Sequence, residues 1–151
     1  MPDTPPFAIR FQYRPSDAEL GAGSHGAGGA GSPHEGAGRA IVYRQALAFT
    51  ARAFAVTELA ATERFHLRDQ LDRKASMVPQ LVAQGLALAD MHARRVLYVR
   101  ARQAVTDCAA ILDILGERGT VDLIALAPAA ALALALLDTL GPLTAPPLRV
   151  R

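Results

Sequence analysis

Two clusters of cations are the residues best suited to chemistry in this chain. Arg64, Arg68, Arg73 and Lys74 form one, and Arg94, Arg95, Arg100 and Arg102 the other. Guanidinium forks match phosphate and carboxylate. Set along a helix, they would make a phosphate-contacting stripe. Arg94, Arg95 and Arg102 fall off the apolar stripe of their own segment, so they face away from a core. The candidate nucleic-acid contacts are therefore Arg64, Arg68, Arg73, Lys74, Arg94, Arg95 and Arg102. Residues 39–120 carry 12 basic and 8 acidic side chains. The competing reading of these cations is the ordinary solvated face of a helical protein.

Other chemistries find less support. His25, His34, His66 and His92 show no His-x-x-x-His spacing, and Glu-x-x-His occurs once, at Glu63–His66; a metal site between bundle helices draws such ligands from more than one helix. They read as solvated or capping groups, with His66 in a loop and His92 at a helix start. Asp69 and Asp72 stand among Arg68 and Arg73 and read as a charged face. Asp107 adjoins an apolar stripe position, and an ion pair with an arginine of the second helix is expected. Ser24, Ser32 and Ser76 lack base and acid partners at a recognisable spacing. The single cysteine, Cys108, sits on an apolar stripe and reads as a buried, inert thiol. It also rules out an intrachain disulfide and a cysteine zinc site. Gly21/Gly23/Gly26 and Gly26/Gly28/Gly31 match Gly-x-Gly-x-x-Gly. That loop cradles pyrophosphate only between a strand and a helix of a βαβ unit, and low complexity produces such matches by chance. No catalytic residue, cofactor site or metal site is expected.

The elements that position these residues are helices. Hydrophobic residues make up 51% of the 151-residue chain but aromatics only 5%, so alanine and leucine supply the apolar surface and favour helix over sheet. The net charge is +2 and the isoelectric point about 9.1, below what marks a dedicated nucleic-acid binder. Residues 1–39 read as a Gly/Pro-rich leader. Within it, Phe7, Ile9, Phe11 and Tyr13 alternate with Ala8, Arg10 and Gln12, the period of a short strand. From Gly21 to Gly38 the composition is that of a flexible linker. Residues 40–141 read as four helices and 142–151 as a proline-rich tail.

Four stripes define those helices. Val42, Ala46, Phe49, Ala53 and Val56 share one face of a helix from about Ala40 to Glu58. Leu67, Leu71, Val78, Leu81, Val82 and Gly85 do so over Leu67–Leu88, although Pro79 stands inside that run. An interior proline removes a donor and clashes with the carbonyl four residues earlier, that of Ala75, so neighbours must hold this helix. Asp90 is placed to cap a third helix with Leu97, Ala101, Ala104, Cys108, Ile111 and Leu115 inward, ended by Gly116 and Gly119. The fourth covers about Val121–Leu140. Its apolar run Leu123–Leu137 falls short of the roughly 20 residues of a membrane span and contains Pro128, so it reads as a core helix. Short connections between such helices predict an antiparallel up-down-up-down bundle. The prolines near the N-terminus argue against a signal peptide, and a cytoplasmic setting is expected.

Over residues 41–140 the chain resembles the four helix bundle proteins encoded by 23S rRNA intervening sequences. Val42-Tyr43-Arg44-Gln45-Ala46 stands where that family has Val-Trp-Gln-Lys-Ala, and Phe54-Ala55-Val56-Thr57 where it has Tyr-x-Leu-Thr. Glu63, Arg64, Phe65, Leu67, Gln70, Leu71, Arg73 and Ala75 match Glu-Arg-Tyr-x-Leu-x-x-Gln-Leu-x-Arg-Ala. Val78, Pro79, Val82, Ala83 and Gly85 match part of Ser-Ile-Pro-x-Asn-Ile-Ala-Glu-Gly, and Ala101, Arg102, Asp107 and Leu112 match the third helix. Met77, Leu81 and Gln84 replace the family's Ser, Asn and Glu, so a polar cluster near Pro79 has given way to packing. The chain is also similar to the accessory variability determinants of diversity-generating retroelements. The resemblance implies a homo-oligomer, a pentameric ring above all, in which five copies of the cationic face would add up. It further implies a non-enzymatic scaffold or adaptor contacting RNA or a ribonucleoprotein. The alternative it implies is a protein that docks a reverse transcriptase.

Overall fold

Each apolar stripe becomes the buried face of a helix. The computed structural model describes residues 33–60 and 65–146. Helix α1 spans Pro33–Leu59, α2 Phe65–Ala87, α3 Met91–Glu117 and α4 Leu123–Thr144. The principal contacts run from α1 to α2, α2 to α3, α3 to α4 and α4 back to α1. The four helices thus close a four-helix bundle of antiparallel neighbours. All five stripe residues of α1 are buried, as are Leu67, Leu71, Val78, Leu81, Val82 and Gly85 of α2. On α3, Tyr98 takes the buried place expected of Leu97, which is only partly covered. Cys108 is fully buried.

Helix ends follow local chemistry. Asp90 caps α3 as its position predicts, accepting from the amides of His92 at 3.1 Å and Ala93 at 3.2 Å. Asp122 does the same for α4 through Ile124 N at 2.9 Å. α3 closes in a Schellman motif: Thr120 N donates to Leu115 O and Gly119 N to Gly116 O. Gly119 takes the left-handed conformation there, with φ of 63°. Gly116 lies inside the helix instead of ending it. A Cβ on it would meet Leu123 Cδ2 at 3.0 Å, so its bareness lets α4 approach.

Several boundaries differ from expectation. α1 starts at Pro33, not Ala40, so residues 33–38 of the expected linker are helical. Proline suits a first helical position, where its missing N–H would have had no partner. His66 belongs to α2, not to a loop. α4 runs through Pro142 to Thr144, so the first residues of the expected tail are helical too. The expected strand at 7–13, the linker before Pro33, both glycine-loop matches and the tail from 147 lie outside the described residues.

Three prolines stand inside helices, Pro79, Pro128 and Pro142. Each lacks the N–H that would serve the carbonyl four residues earlier. For Pro128 and Pro142 those carbonyls belong to Ile124 and Asp138, which are exposed residues. For Pro79 the carbonyl is that of Ala75, which is fully buried. Thr50 of α1 resolves this: its Oγ1 donates to Ala75 O at 2.9 Å. The same hydroxyl lies 2.9 Å from Ala46 O, but Ala46 has a helical amide four residues on, whereas Ala75 has none. Helix α2 therefore continues through Pro79 because its neighbour supplies the missing donor.

Candidate nucleic-acid interface

The antiparallel packing sorts the cations by their height along the bundle. The N-terminal half of α1, the C-terminal half of α2, the N-terminal half of α3 and the C-terminal half of α4 share one end. Contacts across the helices fix this pairing, with Tyr98 against Gly85 and Arg95 against Thr144. Among the described side chains this end carries Arg39, Arg44, Arg94, Arg95, Arg100 and Arg102 against only Asp90 and Asp138. Within α3 no carboxylate precedes Asp107.

The other half holds Arg52, Arg68, Arg73, Lys74 and Arg118 against Glu58, Asp69, Asp72, Asp107, Asp113, Glu117 and Asp122. The bundle is thus positive at one end and negative over the other half. The seven candidates do not form one stripe. Arg94, Arg95 and Arg102 sit at the positive end, Arg68, Arg73 and Lys74 in the negative half, and Arg64 lies outside the described residues.

Their partners differ as much as their places. Arg94 donates through Nε at 3.1 Å and Nη2 at 2.6 Å to Leu88 O, just beyond the end of α2. Arg95 Nε donates to Thr144 O, the last carbonyl of α4, at 2.8 Å. These bonds hold two guanidinium groups at helix ends where cations are favoured. A carbonyl cancels no charge, and a guanidinium has five N–H donors, so both arginines stay positive with donors to spare. Arg100 and Arg102 are exposed and enter no ion pair among the described residues.

In the negative half, by contrast, Arg73 pairs with Asp69 one turn away. The hydrogen bond from Arg73 holds the Asp69 carboxyl below the usual carboxylate range. Lys74 Nζ reaches Asp107 Oδ2 at 2.8 Å, and Gln103 Nε2 donates to Asp107 Oδ1 at 3.0 Å. The expected partner of Asp107 on the second helix is therefore Lys74 and not an arginine. The pair depresses the carboxyl and raises the ammonium, chiefly through their hydrogen bond.

A shallow groove also opens between α1 and α2, lined by Phe54, Thr57, Glu58, Arg68, Asp72 and Ser76 among others. Thr57 Oγ1 lies 2.9 Å from Asp72 Oδ1 and 2.8 Å from Phe54 O, so one proton serves two acceptors. Ser76 Oγ donates to Arg73 O at 2.9 Å, which leaves it no base. Burial pushes the Cys108 thiol up to about 12, so it carries no thiolate at neutral pH. Among the described residues no three His, Cys, Asp or Glu side chains converge as a metal site would need.

Sequence reasoning weighed the α2 and α3 cations as one set and left Arg39 and Arg44 aside. The signal that regroups them is the fold-back itself: residues equidistant from the α1–α2 turn, or from the α2–α3 turn, share a height. Tyr98 lies where the two helices meet: burial pushes its phenol up, and the charges of Arg94 and Arg39 act against that rise. Comparison of the chain with family models, with curated proteins and with solved structures gives no match.

Proposed function

We propose that this chain is a non-enzymatic bundle adaptor that joins copies of itself and contacts RNA or a ribonucleoprotein with its arginine-rich end. The observation that carries the reading is the axial separation of charge. Among the described side chains six cations against two carboxylates occupy one end, and α3 contributes four arginines before its first acid. Phosphate backbones bind such a surface through counterion release, with little demand on geometry.

The opposite end supplies the means of assembly. Leu59 is 61% exposed, Phe65 69%, Leu123 70% and Ile124 82%. These residues start or end α1, α2 and α4 at the same height. An apolar cluster of this kind marks an interaction surface. Its rim bears both signs, Arg68 and Arg118 beside Glu58, Glu117 and Asp122, so a second copy can satisfy it. Joined there, the copies keep their arginine ends open, and several weak phosphate contacts act together. The ring of five implied by the resemblance is one such assembly.

Two measurements test the proposal. Light scattering should show an oligomer at micromolar concentration, and the double variant Leu123→Glu/Ile124→Glu should shift it to monomer. Labelled RNA should be retarded in low salt and released as salt rises. Arg100→Glu/Arg102→Glu should lower the slope of log affinity against log salt by about 1–2. RNA whose mobility is unchanged by micromolar protein in low salt would refute the nucleic-acid reading.

A further inference from the structure

Helix α3 carries a second stripe on the side away from the core. Val96, Val99, Gln103, Thr106, Ala110 and Ile114 are all exposed and follow one another at spacings of 3, 4, 3, 4 and 4. That spacing keeps them on one face of the helix. The face lies opposite the buried Ala101, Ala104, Cys108 and Leu115, and α2 and α4 pack on that buried side. No charged residue belongs to the stripe, and three of its members are large hydrophobics: Val96 is 47% exposed, Val99 46% and Ile114 41%. Charge runs along the same helix in two blocks. Arg94, Arg95, Arg100 and Arg102 precede Ala104, the middle residue of α3, and Asp107, Asp113 and Glu117 follow it. The first block holds no acid and the second no base.

We infer that a second copy of this chain docks on this face, with the two α3 helices antiparallel about a two-fold axis beside Ala104. The charges select the occupant. A parallel copy would set arginines against arginines and acids against acids, and like charges repel. An antiparallel copy sets each block against its opposite. The stripe sets the register. With the axis between residues 104 and 105, Val99 comes level with the partner's Ala110 and Gln103 with the partner's Thr106, as in the layers of a coiled coil. Arg100 then comes level with the partner's Asp107 on the α2 side of the seam, and Arg95 with the partner's Asp113 on the α4 side. Arg100 and Asp113 enter no ion pair within the chain among the described residues. Gln103 and Thr106 put a polar pair at the centre of the stripe, which fixes register and copy number while weakening the contact. A two-fold contact closes on itself and makes a pair, not a filament. Two helices meeting along one face bury under about 1,200 Å², the size of weak, reversible contacts. The pair therefore forms at higher concentration than assembly through Leu123 and Ile124. It leaves Arg44 on α1 outside the seam and does not rest on the nucleic-acid reading.

Cross-linking between full-length chains tests the register, since Cys108 is buried and its thiol stays protonated. Val99→Cys chains are mixed with Ala110→Cys chains at high concentration and treated with a short bismaleimide. In the antiparallel pair the two Val99 positions lie about 16 Å apart along the axis, as do the two Ala110 positions, whereas Val99 and the partner's Ala110 are level. Groups held side by side meet at a raised effective concentration, so the mixed product should exceed either self-linked product by about tenfold. Arg100→Glu in both chains should cut the mixed product severalfold, and Arg100→Glu/Asp107→Arg, which exchanges the charges, should restore it. Products in the proportions of random encounter would overturn the inference, and so would a predominance of Val99 self-links, the mark of a parallel pair. Arg100→Glu without effect, or with a loss that the exchange does not reverse, would overturn it as well. The mixed product should persist with Leu123→Glu/Ile124→Glu; its disappearance there would make the contact a by-product of the other joint. RNA binding and assembly through Leu123 and Ile124 are read separately, so failure here leaves the adaptor proposal standing or falling on its own tests.

Discussion

The hydroxyl of Thr50 should be worth more to this bundle than any other surface-independent polar contact, because it replaces a bond that Pro79 deletes. Thr50→Val keeps the shape and removes the donor. The Ala75 carbonyl then stays buried without the amide four residues on and without the hydroxyl 2.9 Å away. Leaving a buried acceptor unmet costs about 1–3 kcal/mol. For a bundle of this size that is a fall in Tm of roughly 4–12 °C at about 4 °C per kcal/mol.

The decisive comparison is a double-mutant cycle with Pro79→Ala. Alanine restores the helical N–H to Ala75 and removes the proline penalty, so the single Pro79→Ala variant should gain stability. In that background Thr50→Val should cost distinctly less, with a coupling energy of about 1 kcal/mol or more. Thr50→Ser, which keeps the donor, should stay near wild type in both backgrounds. Urea unfolding followed by far-UV circular dichroism reads the wild type and all five variants. An equal cost of Thr50→Val with Pro79 and with Ala at that position would refute the claim that the two residues serve one carbonyl.

Gly85→Ala should destabilise by about 1–3 kcal/mol through overpacking, since its Cβ would lie 2.6 Å from Tyr98 Cε1; Tyr98→Leu in the same chain should recover part of the loss in a thermal melt. Native Cys108 should resist a thiol-reactive dye at pH 8 and react only on unfolding, because burial holds its thiol near 12. Lys74→Met should lower stability at pH 6, and the deficit should shrink in acid: the folded Asp107 carboxyl is depressed, so its contribution is full above 3.8 and lost as pH falls through its lower folded value. Asp113→Asn should do the opposite. Burial raises the Asp113 carboxyl and leaves its Oδ1 without a partner. The wild-type penalty therefore grows as pH rises past 3.8, and the variant should be more stable at pH 7 but not below pH 3.8 in the same urea assay.

How much of this was legible in the sequence depends on the distance over which each signal acts. The stripes of α1 and α2 are read within one helix, and all eleven expected positions are buried. The Asp90 cap is equally local. Leu97 and Tyr98 exchange places because Gly85, on another helix, leaves a recess for the ring. The helix starts at Pro33 and ends at Thr144 were missed because glycine and proline were read as breakers. At a first position, or four residues after an exposed residue, proline is tolerated in this bundle.

The interface asks for the longest reach of all. The seven cations were chosen by neighbourhood along the chain, yet α2 runs back toward the start of α1, so Lys74 and Arg102 stand on opposite sides of the bundle's middle. Height, not sequence distance, decides whether a cation meets a carboxylate: Lys74 finds Asp107 across the α2–α3 interface, while Arg102, five residues earlier on α3, finds none among the described residues. A phosphate chain lying across the arginine end would meet charges from α1 and α3 together, so charge reversal at Arg44 should weaken RNA as Arg100→Glu does, though Arg44 lies 56 residues away. If reversal at Arg73 or Lys74 weakened RNA as much as reversal at Arg44, the axial sorting of charge would have no bearing on binding, and the stripe along α2 and α3 would be the better description.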